Sequence, residues 1–148
     1  MDIQKVLIIS VLILVYLGTI TVIGDPKNLR TAKKRYAKFR KLCSELPEDH
    51  KFRILEDPIL ISGYYGMHSG LLGYNTNKGT EIGICVDGCP NEIMHVLLHE
   101  LAHTTVEEYD HSKKFWNNLR ELKKMASDHK LYKHIEDPTG FCGSKIHD

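Results

Sequence analysis

The sequence predicts an α+β fold, in which a small sheet packs on helices, preceded by an N-terminal transmembrane helix. Three observations support this prediction. Residues 6–23 carry no charge, residues 81–87 place apolar side chains at every second position, and two later segments repeat apolar residues every three or four positions. A chain of 148 residues has room for one ordinary domain and such an appendage.

The uncharged N-terminal stretch is long enough to cross a membrane. Its 18 residues would form a helix of roughly 27 Å, close to the thickness of a hydrocarbon core. We therefore expect residues 1–24 to be a single-pass anchor; the alternative is a signal peptide cleaved near residues 22–24, which would give a secreted or lumenal protein. Eight Lys and Arg residues follow in residues 27–41, and this basic flank predicts a cytosolic C-terminal domain.

We expect three parts in the chain: the anchor, a basic juxtamembrane helix (residues 25–47) and a folded domain (residues 48–148). From residue 42 onward there are 11 Lys and Arg against 17 Asp and Glu, so the folded domain is acidic although the whole chain carries +1. An acidic domain argues against direct nucleic-acid binding by that domain. The cysteines are Cys43, Cys85, Cys89 and Cys142. They are expected to be reduced in the cytosol, or to form up to two disulfides in a lumenal compartment.

The remaining elements follow from local patterns. Residues 28–46 predict an amphipathic helix, and residues 52–72, which are interrupted by glycine and proline, predict short strands and loops. Residues 92–103 and 112–125 predict two further helices, each with an apolar stripe on one face. The segment from residue 138 onward is expected to be a loop.

A His-Glu-x-x-His run at residues 99–103 is the strongest chemical signal in the chain. On a helix, residues four apart lie on the same face, so His99 and His103 can present their imidazoles to one zinc ion. Glu100 is rotated by about 100° from His99 and therefore flanks the metal. There it can act as the general base on a zinc-activated water. The motif thus predicts a zinc-dependent hydrolase with Glu100 as its catalytic residue.

A catalytic zinc site needs a third protein ligand, and several candidates stand near the motif. His111 can reach the metal if the chain turns after the motif, and the β-branched run that follows favours such a turn. Cys89 precedes the motif by ten residues, and Glu107 and Glu108 follow it. If the helix continued, Glu107 would lie about 12 Å from His99, which is too far for a shared ion. We expect His111 to complete the ligand set, with Cys89 as its main rival.

Three other residues near the motif have alternative roles. His95 lies one turn before the motif and is expected to be a structural histidine rather than a pocket residue. Tyr109 is expected to pack, although its hydroxyl could donate to an oxyanion. Trp116 is expected in the core rather than against a substrate.

Three blocks of the sequence resemble a known family. The blocks "LLGYNTNKGTEIGICVDG", "NEIMHVLLHELAHTT" and "HSKKFWNNLREL" occur in this order between residues 71 and 125. They are similar to the WLM metallopeptidases, which are relatives of the SprT-like (Spartan) proteases of DNA–protein crosslinks. The "HSKKFW" segment also resembles the YgjP-like metal-dependent hydrolases.

The resemblance implies a minimal zincin fold, with zinc on His99, His103 and His111 and with Glu100 as the base. It implies that the strand at residues 81–86 lies beside the cleft, where an edge strand could hold an extended peptide. The resemblance implies nucleic acid as a partner only indirectly, by analogy with the crosslink proteases. Family members usually place five residues between the second and third histidines, whereas this chain has seven.

We therefore expect a membrane-anchored zinc metallopeptidase that acts on a protein or peptide. One alternative is a zinc hydrolase of a non-peptide substrate. Another is a membrane-tethered interaction module with a vestigial zinc site. The pattern leaves the oligomeric state open.

Overall fold

The computed structural model describes residues 2–22, 24–66 and 70–148, and within the first helix it describes side chains as far as Ile13. Those residues form a small α+β domain, as the sequence predicts. The elements are α1 (Ile3–Val22), α2 (Lys27–Ser44), a short 3₁₀ helix (Arg53–Glu56), β1 (Leu60–Tyr64), β2 (Gly73–Thr76), β3 (Glu81–Cys85), α3 (Pro90–Thr104), α4 (Lys113–Asp128), β4 (Thr139–Phe141) and β5 (Ser144–Ile146).

The predicted transmembrane helix is wrong. The N-terminal segment is helical, but within the described ranges no helix combines the length and the apolar composition that a membrane crossing requires. The side chains of residues 14–22, and residue 23 altogether, lie outside the described part of the predicted anchor.

The three-stranded sheet has the order β1-β3-β2. Strand β1 runs parallel to β3, and β2 runs antiparallel to it. The expectation that residues 81–86 form an edge strand beside the cleft is therefore wrong, because β3 is the central strand and β2 is an edge. The burial of β3 agrees with this position: Ile82, Ile84 and Cys85 are fully buried, and Gly83 between them is buried as well.

The predicted basic helix is α2, and it contributes directly to the core. Five apolar residues recur every three or four positions along it and are buried; they are Leu29, Ala32, Tyr36, Phe39 and Cys43. The lysines and arginines between them face outward. Because the apolar stripe packs against α3 and the 3₁₀ helix, the basic charge of α2 lies on the solvent side of the helix.

The C-terminal segment is a hairpin rather than the predicted loop. Strands β4 and β5 pair antiparallel, and Cys142 and Gly143 in the turn between them have positive φ angles of 51° and 79°. A disulfide joins Cys142 to Cys85 at the end of the central strand. Cys43 is buried and free, and Cys89 is exposed and free.

Candidate metal centre and active site

Helix α3 carries the His-Glu-x-x-His run and is almost entirely buried. Pro90 opens the helix, and the backbone N–H of Cys89 donates to Glu92 Oε2 at 2.7 Å, which closes the first turn. The helix ends at Thr104, where the hydroxyl of Thr105 donates to the carbonyl of Ala102 at 2.7 Å. The chain therefore leaves the helix directly after the second histidine of the run, as the β-branched sequence predicts.

The loop between α3 and α4 is held by residues from distant parts of the chain. Asn118 on α4 donates through Nδ2 to the hydroxyl of Thr105 at 2.8 Å. Lys78, in the turn between β2 and β3, donates through Nζ to the carbonyls of Val106 (2.6 Å) and Glu108 (2.8 Å). Val106 itself is buried. These contacts fix the path of the chain from the end of α3 to the start of α4.

Three imidazoles converge at the end of this loop. The Nε2 atom of His111 lies 3.1 Å from Nε2 of His99 and 3.2 Å from Nε2 of His103. Ligands about 2.0–2.1 Å from a tetrahedral zinc are about 3.3 Å apart, so the three nitrogens have the spacing that a zinc ion requires. All three lie within 4.8 Å of one another and can hold a metal ion.

The structure brings together His99, His103 and His111 and keeps the other ligand candidates away from them. Cys89 caps the opposite end of α3, roughly 15 Å along the helix from His99. Glu107 and Glu108 are exposed and do not belong to the cluster of ligand atoms.

Phe115 forms the floor beneath the three imidazoles. Its ring centroid lies 5.0 Å from that of His99, 4.4 Å from that of His103 and 4.7 Å from that of His111, and the side chain is fully buried. The backbone N–H of Phe115 donates to the hydroxyl of Ser112 at 3.1 Å, so Ser112 caps the start of α4. His111 immediately precedes this cap, so the first turn of α4 positions both the third imidazole and the ring below it.

The environment of the cluster lowers the pKa of two of its imidazoles. Burial, reinforced by the neighbouring His103 and His111, lowers the pKa of His99 to about 3. Burial, with contributions from His111 and Lys78, also lowers the pKa of His103. A neutral imidazole has a free nitrogen lone pair, and this is the form that binds a metal.

Glu100 lies beside the cluster with its carboxyl group buried. The residue is 7% exposed, and burial raises the pKa of its carboxyl to about 7. A Cβ atom at Gly73 would lie 2.7 Å from Val96 Cγ1 and 3.2 Å from Glu100 Oε1, so only glycine allows β2 to approach α3 this closely. Asn75, also on β2, donates through Nδ2 to the carbonyl of Glu100 at 2.8 Å.

A cavity of about 160 Å³ opens between this strand, the histidine cluster and the loop. Its lining residues are Asn75, Lys78, Glu100, His103 and Tyr109. Tyr109 is 82% exposed, and Lys78 Nζ lies 4.4 Å from its ring centroid, so Tyr109 forms the rim of the cavity rather than part of the core. His103 and Glu100 therefore line the same cavity.

Two predictions about neighbouring residues have opposite outcomes. The prediction that His95 is structural is confirmed: its Nδ1 lies 2.9 Å from the hydroxyl of Tyr132, and burial lowers its pKa to about 4. The prediction that Trp116 lies in the core is wrong, because it is 47% exposed and its ring lies 5.4 Å from that of His111.

The sequence pattern missed Asn75 and Lys78. Both lie in the turn-rich segment before β3, and Asn77 and Lys78 adopt positive φ angles of 47° and 51° there. The turn itself is recognisable from its composition. Its side chains reach the end of α3 and the following loop because of long-range packing. Such contacts cannot be predicted from the local sequence.

Comparisons with known proteins give one family and a few relatives. The WLM-domain family model matches residues 16–142. A protein of Acanthamoeba polyphaga mimivirus, Uncharacterized protein R325, is 36% identical over an alignment of 83 residues, and the match covers 49% of this chain and 42% of that protein. The chain therefore spans about two fifths of the length of this curated relative.

Two solved structures are similar in fold. The crystal structure of Wss1 from Saccharomyces cerevisiae has a TM-score of 0.50 and 23% identity, and the match covers 74% of this chain and 86% of that chain. A Wss1 mutant from the same organism has a TM-score of 0.49 and 22% identity, covering 75% and 91% respectively. At such identity the likeness concerns the fold alone.

Proposed function

The chain belongs to the WLM-domain family, and from this membership and the histidine cluster we propose that it is a zinc-dependent metallopeptidase. Its fold is metalloprotease-like, and WLM domains are metal-dependent in general. The observation that carries the proposal is the spacing of 3.1 and 3.2 Å between Nε2 of His111 and the corresponding atoms of His99 and His103. Three imidazoles at that spacing, with one side open to a cavity, are typical of catalytic rather than structural zinc.

In this proposal His99, His103 and His111 are the protein ligands. When bound there, zinc supplies Lewis-acid polarisation of the substrate carbonyl and makes the attacking water more acidic. Burial keeps His99 neutral across the physiological pH range, so this ligand needs no deprotonation before it binds the ion. Phe115 packs against all three rings and limits their rotation, which holds the nitrogens in place.

Glu100 is the proposed general base. A pKa of about 7 lets a carboxylate accept a proton near neutral pH and release it again, which is what a group that serves both the attacking water and the leaving amine must do. Glu100 Oε1 takes the proton of the water in the first step. The same group then gives it to the amine nitrogen as the peptide bond breaks.

The edge strand β2 is the proposed binding surface for the peptide backbone. Among the strands of the described ranges, β2 pairs only with β3, and an extended peptide can add to its other side by backbone hydrogen bonds. The close approach at Gly73 sets Glu100 Oε1 against this strand. A peptide bound along β2 would therefore pass the carboxyl group and the cavity next to it.

Zinc content and cleavage of a mixed peptide library test the proposal. We expect the full-length protein to bind one zinc, and Glu100→Gln to retain the zinc while losing at least about a hundredfold in cleavage rate. Glu107→Gln, an exposed glutamate in the following loop, serves as the matched control and should cleave at the normal rate. Equal cleavage by Glu100→Gln and the unmodified protein would contradict the role of the base.

The ligand set has its own test. We expect His111→Ala to weaken zinc binding sharply in a competition with a chelator, because two imidazoles on one helix leave the ion without its third anchor. His129→Ala changes an exposed histidine at the end of α4 and should leave zinc affinity unchanged. A protein that unfolds without zinc and cleaves nothing with it would instead have a structural site.

A further inference from the structure

A groove runs along α4 away from the histidine cluster. One wall is a single face of the helix, because Trp116, Leu119, Arg120 and Lys123 are spaced by three and four residues. The other wall is formed by the C-terminal segment through His134, His147 and Asp148. The groove encloses about 240 Å³, which is below the roughly 300–1,000 Å³ of pockets that take a whole small-molecule ligand. Its size suits one large side chain.

Trp116 connects this groove to the metal centre. Its ring centroid lies 5.4 Å from that of His111 and 6.2 Å from that of His99, and the same ring lines the groove. From Trp116 to Lys123 the helix rises about 10 Å, which is the length of about three extended residues. The far end of the groove is thus about three residues from the histidines, whereas a side chain seated against Trp116 would belong to a residue at, or next to, a bond held there.

The polar groups at the base of the groove are already paired with one another. Lys123 is 7% exposed and donates to Asp148 Oδ1, while Oδ2 of Asp148 accepts from the hydroxyl of Tyr132 (2.6 Å) and the backbone N–H of Ile135 (2.7 Å). Because these groups already have hydrogen-bond partners, they leave few donors or acceptors for a polar side chain in the groove. The free surface of the groove is mostly the indole of Trp116 and the aliphatic parts of the other side chains.

The charge around the groove opposes a cationic occupant. Arg120 is exposed at its mouth, and Lys123 lies at its base. The one acidic side chain among the lining residues is that of Asp148, and it is already paired with Lys123. An arginine or lysine side chain would therefore meet two like charges and a side-chain carboxylate that already has its partners, whereas an apolar side chain would bury its surface against Trp116 and Leu119.

We propose that this groove is the specificity pocket of the peptidase, and that it takes a large aliphatic or aromatic side chain beside the bond that is cut. The inference rests on the proposed function and names its substrate class: peptides with a leucine-like or phenylalanine-like residue, rather than a basic one, at a single position. The preferred residue is placed beside the cleaved bond because Trp116 both lines the groove and lies next to His99 and His111.

Intrinsic fluorescence tests the pocket without any need for catalysis. Trp116 is the one tryptophan of the chain, so its emission reports directly on the groove. With the full-length, zinc-loaded protein, N-acetyl-leucinamide and N-acetyl-phenylalaninamide should shift the emission saturably to shorter wavelength. N-acetyl-glycinamide and N-acetyl-lysinamide at equal concentrations should not. An equal response to all four probes, or none, overturns the proposal, and so does a shift that follows protein concentration alone, since a second copy would then cover the groove.

Cleavage profiles give the second test. We expect the unmodified protein to prefer a large apolar residue at one position by at least about tenfold in kcat/KM, and Trp116→Ala to reduce that preference at the same position while retaining zinc. Lys114→Ala, two residues earlier and on the opposite side of α4, is the matched control and should keep the profile. Cleavage without any preference at one position would overturn the pocket but not the peptidase. A lack of cleavage would overturn the peptidase, and the fluorescence result would still decide the pocket.

Discussion

Glu100 is an ionisable residue in a place that favours its neutral form. Its side chain is 7% exposed, and it lies between α3 and the backbone of Gly73 rather than in water. Burial raises the pKa of the carboxyl from an ordinary 4.5 to about 7. Ionising this group therefore costs the folded protein free energy. For the same reason the carboxylate binds a proton more readily near neutral pH than an exposed carboxylate does.

The stability of the metal-free protein should depend on pH through this residue. Below pH 4.5 the carboxyl is protonated in the folded and the unfolded chain, so it contributes nothing. Between pH 4.5 and about 7 it ionises first in the unfolded chain, so the free energy of unfolding falls as pH rises. Above pH 7 the full cost, on the order of 3 kcal/mol, is present.

We therefore expect Glu100→Gln, which carries no charge, to raise the Tm of the metal-free protein at pH 8 and to leave it almost unchanged at pH 4.5. Thermal unfolding followed by circular dichroism at the two pH values measures this. Glu107→Gln, where the glutamate is exposed, should show no such pH dependence. The same gain for Glu100→Gln at both pH values would contradict the assignment of the cost to an ionised carboxylate.

At the scale of elements, the histidine cluster is assembled by a helix end, a helix start and a hairpin turn. Helix α3 supplies two imidazoles, α4 supplies the cap that follows His111, and the turn between β2 and β3 holds the loop between them through Lys78. Asn75 adds a second tie, since its Nδ2 also donates to the hydroxyl of Thr104 at 3.1 Å. The loop that precedes the third imidazole is thus held by side chains from other parts of the chain rather than by contacts within the loop.

We expect Lys78→Met to lower zinc affinity by about tenfold, because it removes both hydrogen bonds to the loop without touching an imidazole. Competition with a chelator measures the affinity, and the visible spectrum of the cobalt-substituted protein reports on the geometry of the ligands. Lys113→Met, an exposed lysine in the first turn of α4, is the control. Lys78→Arg should recover part of the loss. Unchanged affinity in Lys78→Met would show that the loop holds its path without the turn.

These elements also show which parts of the fold a sequence pattern can predict. Helices α2, α3 and α4 are predictable within a few residues because their apolar spacing, their proline and their serine cap are local signals. The place of β3 in the sheet is not predictable in this way, because strand order depends on partners that are distant in sequence. Strands β4 and β5 have three residues each, too few to show an alternating pattern. Local spacing makes His111 the favoured third ligand, but its location depends on a loop that Lys78 and Asn118 hold from distant positions.

At the scale of the whole molecule, one covalent link joins the sheet to the C-terminal hairpin. Cys85 ends the central strand, and Cys142 lies in the turn of the hairpin, 57 residues later. The hairpin leads to Asp148, whose carboxylate pairs with Lys123 on α4. The disulfide therefore ties β3, through the C-terminal segment, to the helix that carries Phe115 and Trp116.

Removing this disulfide should destabilise the protein substantially. Closing a loop of this length in the unfolded chain is worth about 4 kcal/mol, so we expect the double variant Cys85→Ala and Cys142→Ala to lower the Tm by about 10 °C. A reductant should lower the Tm of the unmodified protein and not that of the double variant. Cys89→Ser changes an exposed free cysteine but keeps a side chain that can cap α3, so it should leave the Tm almost unchanged. If reductant lowered the Tm of both proteins equally, the link would not be the source of the stability.

The cap of α4 has a consequence for how this kind of site can change. Because Ser112 starts the helix and His111 stands directly before it, the location of the third imidazole depends on the docking of α4 on α3 as well as on the loop. The loop carries its hydrogen bonds to Lys78 and Asn118 in residues 105–108. The two residues by which it exceeds the five usual in the family can therefore be accommodated after Glu108. Changes at residues 109–110 would reshape the rim of the cavity, where Tyr109 lies, while the three histidines stay where they are.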